Sequence, residues 1–160
     1  LQMDKELIHQ TLIESCIEVF EKMLFVEIKE TAFVSETEFK SELTGSIGFE
    51  GVYTGKLVLE CSLSLAKELT VSFLGIDESD ITDAKIHDNI KELVNMVCGN
   101  MFCKLDENRS LVKLNIPDCG ITQLIESTQF TSEVIVLFTC SSLFDANGKE
   151  EIFRVSLYSR

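Results

Sequence analysis

The sequence predicts an α/β domain of the α+β kind, in which helices are segregated against a largely antiparallel sheet. Three observations carry this prediction. Glu42 to Cys61 is glycine-rich and β-branched and reads as a hairpin, and two apolar segments near the end are joined through Asn147-Gly148. Residues 4–24 and about 82–105 instead repeat their apolar residues at helical spacing. No internal repeat, low-complexity tract or linker interrupts the chain, so residues 1–160 are expected to form a single domain.

The elements follow in order. Ile13, Ile17, Phe20 and Leu24 define the apolar stripe of a first helix, with Glu6, Glu14, Glu18 and Lys22 elsewhere on the cylinder. Phe25 to Lys40 is irregular and predicts a short strand and an exposed connection. The hairpin turns near Glu50 and Gly51. Ser64 or a neighbour caps a second helix that presents Leu65, Leu69 and Phe73 and ends at Gly75. Asp80 or Thr82 opens the longest helix, which runs to about Leu105. Three strands complete the domain: LVKLNI up to Pro117, FTSEVIVLFTC, and EEIFRVSLY, the last two forming a hairpin whose Asn147-Gly148 is the preferred centre of a type I′ turn.

Composition narrows the function. At 45% hydrophobic residues the chain can bury a sizeable core. Its 27 acidic against 14 basic residues give a formal charge of −13, which repels nucleic-acid phosphates and anionic lipid surfaces. No apolar run is long enough to span a bilayer, so no membrane and no nucleic-acid partner is expected, and a cytoplasmic location is. The cysteines at 16, 61, 98, 103, 119 and 140 are scattered and form no CxxC pair, which reads as small buried hydrophobes in a reducing compartment.

Most candidate chemistry fails on detail. The glycines at 45, 48, 51 and 55 suggest a phosphate loop, but Gly55-Lys56 is followed by Leu57 and a strand instead of Ser or Thr and a helix. Glu6 and His9 have the spacing of a bundle metal pair, yet the further carboxylates such a site needs are missing, so no metal of its own is expected. His87 and Cys98 share a helix, where eleven residues at ~1.5 Å rise separate them by roughly 16 Å.

The longest helix is different. Asp88, Glu92, Asn95 and Gly99 are spaced four, three and four, so they form one polar stripe. The core face uses Ile90, Leu93, Val94, Val97 and Met101. An exposed mid-helix Asn costs several tenths of a kcal/mol against Ala and makes no capping bond. Spacing alone leaves two readings open. The stripe is either an ordinary solvated face or a rigid carboxylate and carboxamide pair, one turn apart, which can clamp a cation and hold a water in line.

The extended pattern Asp88-x-x-x-Glu92-x-x-Asn95-x-x-x-Gly99-Asn100 resembles the signature of the CheC/CheX/FliY phosphatases, whose CheX branch reads ELxNMxxGN on its motif helix. GSIGFEGVYTGKLVLECS and then LAKELTVSFLG resemble the hairpin and helix that precede that motif. The likeness runs from about Leu43 to the closing hairpin, and the single Glu-x-x-Asn favours CheX over the two-site CheC relatives. Cys98 and Phe102 depart from the family pattern. The resemblance implies a CheC/CheX-like fold and a phosphatase for the aspartyl phosphate of a CheY-type receiver domain. The receiver would supply Mg²⁺, Asn95 would align the attacking water, and Glu92 would pair with the receiver's lysine. Asp88, Gly99 and Asn100 would support the motif. It also implies a homodimer formed through the sheets. With the chain strongly acidic, docking is expected to be weak, transient and salt-sensitive. The competing expectation is a noncatalytic receiver-binding or flagellar-switch module.

Overall fold

A computed structural model describes residues 4–32, 39–106, 112–122 and 130–160. The first helix, α1 (Lys5–Val19), starts at Asp4, whose carboxylate accepts from the amides of Glu6 at 3.0 Å and Leu7 at 3.3 Å. It buries Ile8, Leu12, Cys16 and Val19. The predicted stripe is displaced, since Ile13 and Ile17 are only partly buried whereas Phe20 and Leu24 are fully so. The reason is local. Phe20–Leu24 winds as a π-helical turn, which advances the chain more slowly around the axis and brings Leu24 onto the face of Ile8 and Cys16. Phe25 then reverses the chain in the left-handed region, at φ 56°, with its ring exposed.

Among the described residues, seven strands form one antiparallel sheet. They are β1 (Ile28–Thr31), β2 (Leu43–Gly51), β3 (Gly55–Cys61), β4 (Val112–Leu114), β5 (Asp118–Ile121), β6 (Ser132–Ser141) and β7 (Glu150–Ser159). The order is β1-β6-β7-β3-β2, after which β4 pairs with Phe49–Gly51 and β5 with Leu43–Ser46 of the same β2. Strand alternation gives the sheet two faces. Ile47, Phe49, Leu57, Leu59, Val136, Phe138, Phe153 and Val155 point at the helices and are buried. Phe153 sits between Phe20 and Phe138, with ring centroids 5.0 and 5.2 Å away. On the reverse face Arg154 Nε donates to Glu60 at 2.7 Å beneath the ring of Phe39.

Two strand expectations need correction. The β6–β7 pairing is antiparallel as predicted, but no type I′ turn joins the strands: Ser141 pairs with Glu150 and the whole of 142–149 is loop. Asn147 has no positive φ, and only Gly148 is left-handed, at φ 68°. The amide of Gly148 donates to the Asp145 carbonyl while Asp145 Oδ1 accepts from the amide of Asn147, so Asp145 organises the turn. The loop is then tied to helix α2 (Leu63–Leu74) by Glu68, a 3% exposed carboxylate that accepts from Ser142 Oγ at 2.8 Å and the Leu143 amide at 2.7 Å. The second correction is β5, which the sequence did not suggest.

α2 is capped by Ser62 instead of Ser64: Ser62 Oγ accepts from the Leu65 amide at 3.0 Å. Gly75, at φ 61°, ends it as expected. The long helix α3 (Asp83–Leu105) takes Thr82 as its cap and lies across β2. Gly45 permits that contact. A Cβ at 45 would lie 2.5 Å from Ile90 Cγ2 and 3.1 Å from Val94 Cγ1.

Candidate active site

The site is built on α3. Ile90, Leu93, Val94, Val97, Cys98 and Met101 are all fully buried, which confirms the core face read from spacing. Phe102, an apparent departure, is absorbed by an edge-on contact with Phe49 at 4.8 Å between ring centroids. Asn89, which sequence reasoning passed over, is 3% exposed and donates through Nδ2 to Thr70 Oγ1 of α2 at 3.2 Å. Thr70 in turn donates to the Ala66 carbonyl. α3 is therefore held from two sides, by close packing on β2 and by a buried polar link to α2.

From this fixed helix the predicted stripe projects outward. Asp88 and Glu92 are exposed and Asn95 and Gly99 are half-buried at the rim of the core. Asp88 Oδ1 meets Lys91 Nζ at 2.8 Å, one turn along, and its hydrogen bond raises the lysine's pKa. That bond occupies the nearest cation on the helix. Glu92 and Asn95 make no ion pair or side-chain hydrogen bond among the described residues, so carboxylate and amide are both available to a partner.

Two supporting residues behave differently from each other. A Cβ at Gly99 would meet only Leu114 Cδ1, at an ordinary 3.8 Å, so nothing described within the chain demands glycine there. The close approach between α3 and the sheet belongs to Gly45, and the small residue at 99 leaves room on the outer surface. Asn100 lies off the stripe, as spacing requires, and its buried Oδ1 has no hydrogen-bond partner among the described residues.

Four of the thiols are withdrawn into the core. Burial pushes the Cys98 thiol up to about 12 and that of Cys140 to about 11, and the fully buried Cys16 and Cys61 are raised further. A neutral buried thiol is a poor nucleophile. His9 faces Glu30 at 3.3 Å, and no group of three His, Cys, Asp or Glu capable of holding a metal gathers among the described residues. What this surface presents is an exposed carboxylate, Glu92, and a half-buried carboxamide, Asn95, one turn apart on a fixed helix.

Among the described residues, three α-helices packed on a seven-strand antiparallel sheet make a CheX-like fold. The crystal structure of chemotaxis protein CheX from Vibrio vulnificus shares this fold at TM-score 0.75 and 19% identity, covering 99% of this chain and 100% of that one. The CheX–CheY–BeF3–Mg complex from Borrelia burgdorferi matches at TM-score 0.65 and 15% identity, over 99% of each chain. The FliM middle domain from H. pylori matches at 0.60 and 12%, over 98% of this chain and 93% of that one. No curated protein matches significantly. The family profile described as chemotaxis phosphatase CheX matches residues 43–140, and the chain belongs to that family.

Proposed function

We propose that this protein removes phosphate from the aspartyl phosphate of a CheY-type receiver domain, with Asn95 aligning the attacking water and Glu92 gripping a lysine of the receiver. The observation that carries the reading is the Glu92/Asn95 pair, unpartnered on a helix clamped by Gly45 and Asn89. In the reaction, water attacks phosphorus, the bond from phosphorus to the aspartyl oxygen breaks, and aspartate and inorganic phosphate leave. Such transfer depends on alignment and charge stabilisation, and a 1 Å misplacement costs on the order of 10²-fold, so a rigid amide is an effective catalyst.

Mg²⁺ belongs to the receiver in this scheme. Asp88 is held by Lys91, and no group of three His, Cys, Asp or Glu able to hold a metal gathers among the described residues. The Borrelia relative was crystallised with CheY, BeF3 and Mg²⁺, which supports the same assignment. Homodimer formation through the sheet is part of the proposal. The likeness to the FliM middle domain keeps a noncatalytic binding module as the second reading. Measuring phosphoryl-receiver lifetime with and without the protein separates them. A receiver that binds with an unchanged lifetime selects the second.

A further inference from the structure

A groove of about 600 Å³ opens beside the stripe, lined by α3, by the end of α1 with the π-helical turn that follows it, and by β4. Its apolar walls include Met23, Met96 and Leu114, with Cys103 and Gly99 along α3. We infer that this groove is the anchoring subsite for the receiver, taking an apolar side chain that stands next to the receiver's phosphorylation site. The inference rests on the proposed phosphatase reading and adds where the partner is held.

The argument is geometric. A weak, transient protein interface buries up to about 600 Å² per partner, equivalent to a disc roughly 14 Å in radius. Met96 adjoins Asn95 in the chain, and Gly99 lies one turn further, about 6 Å away. Any partner that closes over Asn95 therefore also covers this groove. At ~100° per residue, Met96, Gly99, Asn100 and Cys103 centre about 60° around α3 from the stripe, so the two surfaces are adjacent and both outward.

The chemistry supports an apolar occupant. The cation at this rim, Lys22, is paired with Glu18 at 2.6 Å, so the groove offers little free charge and would attach by burial of apolar surface. That matters for a chain of net charge −13, whose long-range field opposes an acidic partner. Glu92 and Asn95 would then act on the reacting atoms while the groove supplies uniform binding, which lowers KM without altering kcat.

The test uses the whole protein and a CheY-type receiver, phosphorylated for turnover and held active with beryllofluoride and Mg²⁺ for binding. Met23 is 44% exposed, so Met23→Glu charges the groove without opening the core. It should raise KM at least about tenfold with kcat within about twofold, whereas Asn95→Ala should lose turnover and keep binding. In a Cys119→Ser background Cys103 is the single cysteine that is not buried, and saturating receiver should slow its alkylation at least about tenfold. Wild-type turnover with unchanged Met23→Glu kinetics and unprotected Cys103 would overturn the groove and leave the phosphatase reading intact. Absence of both binding and turnover in wild type removes the two together. A Met23→Glu protein that loses self-association but keeps its KM assigns the groove to a second copy and also overturns the inference.

Discussion

Gly45 of β2 and Ile90 of α3 are interlocked so closely that a Cβ at position 45 would fall 2.5 Å from Ile90 Cγ2. The helix that carries Glu92 and Asn95 thus takes its height above the sheet from a missing side chain. Gly45→Ala forces Ile90 and Val94 outward together, because both meet the new atom. Destabilisation of about 1–3 kcal/mol in urea unfolding is expected, from overpacking. The same shift should lower phosphatase activity more than Gly120→Ala does, since no atom lies within 4 Å of a Cβ built at 120.

Asn95 and Glu92 should separate kinetically. On the proposed mechanism, Asn95→Ala is expected to lower kcat on the order of 10²-fold while binding to the beryllofluoride-activated receiver persists, because the alignment assigned to it would be made at the reacting atoms. Glu92→Gln should act mainly through affinity and lose its effect against a receiver whose active-site lysine is also removed. Stopped-flow receiver fluorescence reads both. A double-mutant cycle in which Glu92 and that lysine are additive would dismiss the contact.

A pH dependence follows from Glu18. Hydrogen bonds from Lys104 at 2.7 Å and then Lys22 at 2.6 Å hold its carboxyl down to about 2 from an ordinary 4.5. Because the folded value is depressed, the contribution to stability is complete above about 4.5 and is lost as pH falls from there through about 2. The group is largely solvated, so the effect is small, at most about 1 kcal/mol. Denaturant unfolding of wild type and Glu18→Gln should differ at pH 7 and converge near pH 2.

Glu68 should behave as a structural anchor. Glu68→Ala leaves the Leu143 amide and Ser142 hydroxyl without their acceptor and is expected to cost about 1–3 kcal/mol. Hydrogen exchange should report the loss first in residues 142–149, before α3 responds. Equal deprotection of α3 would contradict a local role.

How much of this was legible depends on the range of the interactions. α3 was readable because its 3.6-residue repeat is long and its core face unbroken, from Ile90 to Met101, and the same count put Glu92 and Asn95 together. Ser62 and Ser64 carry equal local signals, and only the packing of Leu65 selects the earlier one. Asn147-Gly148 is a strong local turn signal, yet the contacts of Ser142 with Glu68, 74 positions away in sequence, stabilise a longer loop. β5 is four residues long and follows Pro117, too short to show an alternation, and exists because β2 still has open backbone positions at Leu43–Ser46. The groove draws on three elements distant in sequence, so no single window of residues contained it.

The π-helical turn at Phe20–Leu24 has a consequence for how this chain compares with its relatives over time. It holds an extra residue between a helix that is anchored at Asp4 and a reversal fixed at Phe25, with Lys22 and Met23 on its outer side. A one-residue deletion there restores an ordinary helical turn without shifting anything upstream, whereas the same deletion within α3 rotates half of the motif by about 100°. Length variation among descendants of this sequence should therefore collect at Phe20–Leu24 and be purged from Asp88–Asn100, and each accepted deletion would reshape the wall beside Met23 while the Glu92/Asn95 stripe stays in register.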